Sequence, residues 1–228
     1  MTPRFFDVSG RKALIIGATP IAEATARLFT QANAIAEVRD VAPEAAAMAE
    51  AIGGFLDRNG SLDILVYAAT RIGTYALPTT TAAQWDAIHD TNLKGAFLAF
   101  REAIPAMQRQ GGGCIVAVST MGSLHPVLKG NAAYGSSKAG LNALVRATAL
   151  DHAGDSIRAN AVLFGAVPVG EAPTDIKRLG GPATQPDRLL LGMGTAEEVA
   201  AAILYLSSPA ARPITGQTLT LDGGFLIS

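Results

Sequence analysis

Ala13-Leu14-Ile15-Ile16-Gly17-Ala18-Thr19-Pro20-Ile21-Ala22-Glu23 sets four apolar residues against one glycine and then a helical pattern that runs on through Ala32. An apolar run this short, closed by a glycine turn, reads as a buried strand feeding a helix. Five further runs repeat the theme: Ala34 to Val38, Leu62 to Val66, Cys114 to Ser119, Ile157 to Leu163 and Thr218 to Leu221. Strands alternating with longer helical stretches predict an α/β protein with a doubly wound parallel sheet.

Helix starts are marked chemically. Thr81 with Gln84 and Thr195 with Glu198 have the spacing at which each side chain satisfies the other's backbone amide. Gly111-Gly112-Gly113 and Gly180-Gly181-Pro182 read as loops. The stretch from Gly165 to Gly194 holds four prolines and reads as a lid over a substrate. At 228 residues, with neither an internal repeat nor a linker, residues 1–228 are expected to form a single domain.

Composition narrows the partners. A formal net charge of -1 with no cluster of Lys or Arg gives no field for nucleic acid or an anionic membrane, so a small molecule or a protein is expected. Cys114, the single cysteine, lies in an apolar run and reads as a buried small hydrophobe, which suits a reduced cytoplasm. No stretch is apolar enough to span a bilayer, and no His, Cys or carboxylate cluster has metal-ligand spacing.

Tyr134-Gly135-Ser136-Ser137-Lys138 puts a phenol and an amine one helical turn apart on one face. An ammonium beside a phenol favours phenolate. Bringing tyrosine from about 10 to neutrality takes roughly 4 kcal/mol of differential stabilisation. Tyr134 is thereby the candidate general acid/base for a carbonyl/alcohol pair.

Together with Asp40-Val41, Leu62 to Val66, Asn92-Leu93-Lys94-Gly95, Ile157 to Val162, Thr215-Gly216-Gln217 and Asp222-Gly223-Gly224, in this order, Tyr134 to Lys138 resembles the short-chain dehydrogenase/reductase family over nearly the whole chain. The resemblance implies a three-layer Rossmann-like fold and an NAD(P)(H)-dependent oxidoreductase working on a small carbonyl or alcohol. It implies that Lys138 also holds the nicotinamide ribose and that Asn92 anchors a water leading to solvent. It also implies a homodimer or homotetramer joined through the helices around Leu93 to Met107 and Ala139 to Leu150. The family's substrate-binding serine falls on Thr120 when the strand end is aligned, with Ser119 as the second choice.

The expected dinucleotide loop is eroded. The resemblance places Gly17, Thr19, Pro20 and Ile21 at the pyrophosphate, Arg39, Asp40 and Val41 at the adenosine ribose, Ala68 and Ala69 beneath the adenine side, and Gly165 and Val167 with Tyr134 and Lys138 at the nicotinamide. Pro20 has no amide to offer, and Ala22 and Glu23 stand where a glycine and a free helix end are expected. Tyr67-Ala68-Ala69-Thr70 replaces an Asn-Asn-Ala-Gly, and Tyr67 reads as bulk beneath the adenine. With Arg39 and Asp40 adjacent, NADP and NAD both stay open.

From Asp40 to Asp63 the spacing matches the family's third strand to its fourth, so one strand and its helix are missing from the usual seven-stranded sheet. The missing unit is either the second strand with its helix or, with Ala34 to Arg39 as the second strand, the third. Two other functions compete with the oxidoreductase: a binding or scaffold protein that has lost the dinucleotide, and cofactor-free chemistry of the halohydrin dehalogenase kind. The latter pairs its tyrosine with arginine, where Lys138 stands here.

Overall fold

The computed structural model describes residues 4–166 and 180–228. Six parallel strands form one sheet: β1 (Lys12–Ile16), β2 (Ile35–Arg39), β3 (Ile64–Tyr67), β4 (Gly113–Thr120), β5 (Ile157–Phe164) and β6 (Thr218–Leu221). Their spatial order is β2-β1-β3-β4-β5-β6. All six expected runs are strands, and the register sets Lys12 against Ile35 and Ala13 against Ile64.

Side chains alternate across this sheet, and the sequence satisfies both faces. Leu14, Ile16, Leu65, Ile115 and Ala117 point to one face, where they meet Met48 and Phe55 of α2 (Ala45–Asn59), Phe100 of α4 (Gly95–Arg109), and Leu141 and Val145 of α5 (Ala132–His152). Ala13, Ile15, Val66, Val116 and Val118 point to the other, against Phe29 of α1 (Pro20–Gln31) and Ile203 and Leu206 of α6 (Ala196–Ser207). Each such buried aliphatic or aromatic side chain contributes roughly 1.5–3 kcal/mol. Helices therefore cover both faces, as a doubly wound sheet requires.

Both expected capping boxes form. Thr81 accepts from Gln84 N and opens the short α3 (Ala82–His89), and Thr195 accepts from Glu198 N at the head of α6. A π-helical segment, Asp90–Lys94, then joins α3 to α4.

Among the described residues the sheet is one strand short of seven. β2 lies at the edge beside β1, the place that belongs to a second strand. Its following helix, α2, packs on the face of α4 and α5, while α1 packs on that of α6. Right-handed crossovers explain this: stepping outward from β1 to β2 and back across to β3 reverses direction, so the two helices must take opposite faces. One outward and one return crossover remain, and the sheet closes its core with both.

Candidate active site

Parallel strands bring their carboxyl ends to one edge, where ligands of open α/β sheets bind. Gly17, Arg39 to Val41, Ala68 and Ala69, Ser119 and Thr120, and Gly165 follow or end β1, β2, β3, β4 and β5 there. Val167 lies outside the described residues, as does the part of the expected lid from 167 to 179.

Tyr134 and Lys138 sit in the first turns of α5, 6% and 1% exposed. Lys138 Nζ donates to the main-chain carbonyl of Val118 at 2.9 Å. Burial lowers its pKa from 10.5 to about 7. Burial also raises Tyr134, against a smaller opposing pull from the hydroxyls of Thr70 and Thr120. This departs from the expected stabilised phenolate. In so apolar a setting, desolvation disfavours both charges, and the amine is turned to a carbonyl instead of the phenol. Tyr134 is thereby held as a protonated phenol.

Thr120 and Ser119 separate clearly. Thr120 ends β4, 6% exposed, and its Oγ1 accepts from Gly122 N at 3.3 Å, capping a single 3-10 turn, Met121–Ser123. Its hydroxyl is one of the two acting on Tyr134. Ser119 is fully buried and its Oγ has no hydrogen bond. Successive strand residues face opposite ways, so only one of the two can meet the phenol.

Asn92 is buried in the π-helical segment. Its Oδ1 accepts from Arg71 N at 2.7 Å, and its Nδ2 donates to Arg71 O at 3.0 Å and Ser137 Oγ at 3.0 Å. It clips the loop after β3 to α5, between Tyr134 and Lys138. Thr70, one residue before that clip, went unnoticed in the sequence. The signal was a threonine standing where the resemblance has a glycine.

At the dinucleotide loop Gly17 has φ +119, and a Cβ there would strike the backbone of Ala68 and Ala69. Gly17 N donates to Arg39 O at 2.7 Å. Thr19 caps α1 by accepting from Ala22 N at 3.1 Å, Glu23 N returns to Thr19 O at 3.0 Å, and Pro20 has no N–H. The N–H groups of Ala18, Thr19 and Ile21 and the Thr19 hydroxyl proton are the donors these bonds leave.

At the adenosine end, Arg39 binds Glu37, which also accepts from Arg58 Nη2 at 2.8 Å. Asp40 is exposed, and a hollow of about 340 Å³ is lined by Arg39, Asp40, Val41 and Arg58. Tyr67 corrects the sequence reading. Its ring is buried, and its hydroxyl donates to Thr91 O at 2.5 Å within the layer of α4, so it puts no bulk beneath an adenine.

A second hollow, of about 500 Å³, lies at the opposite, N-terminal ends of the strands and includes Arg11, Arg158 and Arg212. Arg158 donates there to Leu206 O and Ile214 O, and Arg11 pairs with Asp63. Arg158 and Arg11 thus answer chain carbonyls and a carboxylate.

The chain matches, over residues 13–226, the family described as enoyl-(acyl carrier protein) reductase. It is 34% identical to the 2-(R)-hydroxypropyl-CoM dehydrogenase of Xanthobacter autotrophicus, covering 97% of this chain and 91% of that protein. It is 31% identical to the 3-oxoacyl-[acyl-carrier-protein] reductase of Thermotoga maritima, covering 96% and 99%. A short-chain type dehydrogenase/reductase from Mycobacterium marinum superposes with a TM-score of 0.90 at 26% identity, covering 98% of each chain. With the ordered motifs and the six-stranded sheet, these relations establish that the chain belongs to the short-chain dehydrogenase/reductase family and is an oxidoreductase of that kind.

Proposed function

We propose that the protein is an NAD(P)(H)-dependent oxidoreductase that interconverts a secondary alcohol and a ketone on a small molecule, with Tyr134 as general acid/base. The observation that carries it is the buried Tyr134 phenol, flanked by the hydroxyls of Thr70 and Thr120 and one turn from Lys138. The relatives named as a hydroxypropyl-CoM dehydrogenase and a 3-oxoacyl reductase support the alcohol/ketone pair.

The residues fit a nicotinamide dinucleotide unevenly. The Thr70 hydroxyl stands beside the Tyr134 phenol, where the nicotinamide would lie, and Gly17 holds its loop to the backbone of Ala68 and Ala69 in a close approach that no Cβ would allow. Gly165, where a Cβ would come within 2.7 Å of Asp222 Cα, keeps a second. Thr19 and Ile21 would hold the pyrophosphate, Arg39, Asp40 and Val41 the adenosine ribose, Ala68 and Ala69 the neighbouring floor, and Lys138 the nicotinamide ribose. When bound, the group supplies or accepts the hydride.

The chain's own part is proton transfer. In reduction, Thr120 donates its hydroxyl proton in a hydrogen bond to the substrate oxygen, and Tyr134 gives that oxygen its proton. Lys138 titrates near neutrality one helical turn from Tyr134, and Asn92 holds the Arg71 loop and Ser137 beside the pair. Residues 165–194 act as a lid of a single domain. The protein works in the cytoplasm as a homodimer or homotetramer through α4 and α5, whose outward faces carry the exposed Phe97 and Leu150. Titration with NADPH and NADH, followed by heat, tests the reading: binding of either supports it, and no binding of either at millimolar concentration overturns it.

One observation favours a second reading. The first turn of α1 spends Ala22 N and Glu23 N on Thr19, and Gly17 N on Arg39. A binding or scaffold protein that has given up the dinucleotide would look like this at its pyrophosphate loop. Tyr134-dependent reduction of a dicarbonyl by the purified protein rules it out.

A further inference from the structure

We propose that Ser123 and Asn142 are positioning residues that hold the Thr120 hydroxyl against Tyr134. The role rests on the oxidoreductase reading of this site.

Asn142 lies on α5, eight residues after Tyr134, and is 1% exposed. Its Nδ2 donates to Ser123 Oγ at 2.7 Å, and Ser123 Oγ donates to Thr120 O at 2.6 Å. A serine hydroxyl has one proton. Since that proton goes to a carbonyl, which can only accept, Asn142 must present its amide N–H₂, and the direction of the chain is fixed. The next bond continues the logic. Thr120 Oγ1 accepts from Gly122 N, so the Thr120 proton remains free for Tyr134 or for a substrate oxygen.

These bonds tie the strand end bearing Thr120 to the helix bearing Tyr134 and Lys138. The turn between them is seated on that helix: a Cβ at Gly135 would stand 3.0 Å from Gly122 O. Any drift of the Met121–Ser123 turn therefore moves Thr120 relative to Tyr134.

Stability alone does not account for the amide. Among the described residues Asn142 Oδ1 is buried without a hydrogen-bond partner, a costly arrangement that a leucine of similar size would avoid. A residue kept for packing would be apolar here. The amide is retained for the one bond it makes.

The test measures reduction of 2,3-butanedione by NADPH, and in parallel by NADH, in wild type, Ser123→Ala, Asn142→Leu and the double variant, together with melting temperatures. The expected result is a kcat about tenfold lower in each single variant with KM for NADPH unchanged, since misplacing a reacting group by a fraction of an ångström costs rate and not cofactor affinity. The double variant falls no further than the worse single one, because both act through one chain of bonds. Ser123→Thr restores kcat, and Asn142→Leu melts no lower than wild type. Should Asn142→Leu fold poorly, Ser123→Ala carries the test alone. An active wild type whose single variants keep full kcat, or whose losses multiply in the double, overturns the positioning role. A wild type inactive with both cofactors overturns the oxidoreductase reading, and this role falls with it.

Discussion

Lys138 Nζ lies 2.9 Å from the carbonyl oxygen of Val118, so the amine of the proposed catalytic pair is anchored to β4, the strand that ends in Thr120. The bond spans the sheet and α5. It holds helix and strand in register at the site, and it places a titratable group where water does not reach.

A pH dependence of stability follows. Lys138 falls from 10.5 in the unfolded chain to about 7 in the folded one. Between these values the unfolded chain binds the extra proton, so stability rises with pH across the window. The contribution is complete above 10.5 and is lost as pH falls through 7. One proton gives a slope of at most about 1.4 kcal/mol per pH unit. Tyr134 and Tyr67 have the opposite sign, but their raised pKa values act only above 10, and the buried Cys114 thiol, raised from 9.0, opposes the lysine as pH approaches 9, so urea unfolding from pH 7 to 8 reads the lysine. Lys138→Met should flatten the curve; an unchanged slope contradicts the assignment.

Tyr134→Phe removes the acid and leaves the ring in its pocket. Turnover is expected to drop about 10²- to 10⁴-fold while NADPH binding, measured by calorimetry, stays within a few-fold of wild type. A variant that still turns over at more than a tenth of the wild-type rate would move the acid/base role elsewhere.

The sheet, both capping boxes and the site edge were legible in the sequence, because strand length, capping spacing and parallel winding are local signals. Four features were not. The place of β2 depends on which neighbour its backbone pairs with, and Asp40 to Asp63 has the same length under either alignment. Ser119 and Thr120 differ by one residue, and only the strand's alternation turns one to the phenol and seals the other. Tyr67 reads as a bulky floor until its hydroxyl is seen to reach Thr91 O, a contact spanning 24 residues that no pattern encodes. The direction of the lysine and tyrosine shifts was likewise hidden, since the sequence shows the pair but not how dry it is.

Gly17→Ala tests the one glycine kept in the dinucleotide loop. At φ +119 an alanine is strained whatever the space, and its methyl would enter the backbone shell of Ala68 and Ala69. A loss of about 2–4 kcal/mol is expected by chemical denaturation, with NADPH affinity falling beside it. Wild-type stability in this variant would mean that the two loops part easily, and the close approach would lose its meaning.

The deepest test of the Tyr67 correction is a double-mutant cycle with Gly95. A Cβ at Gly95 would overlap the Tyr67 hydroxyl, so Gly95→Ala should cost about 2–4 kcal/mol through overpacking. Tyr67→Phe alone strips Thr91 O of its donor and should cost about 1–3 kcal/mol. The second change also removes the atom that collides in the first. The pair should therefore cost less than the sum by more than about 1 kcal/mol, a coupling expected only for residues in contact. Strict additivity would place the Tyr67 ring away from Gly95 and return it to the groove, where it would act on the ligand instead of on the helix that carries Asn92.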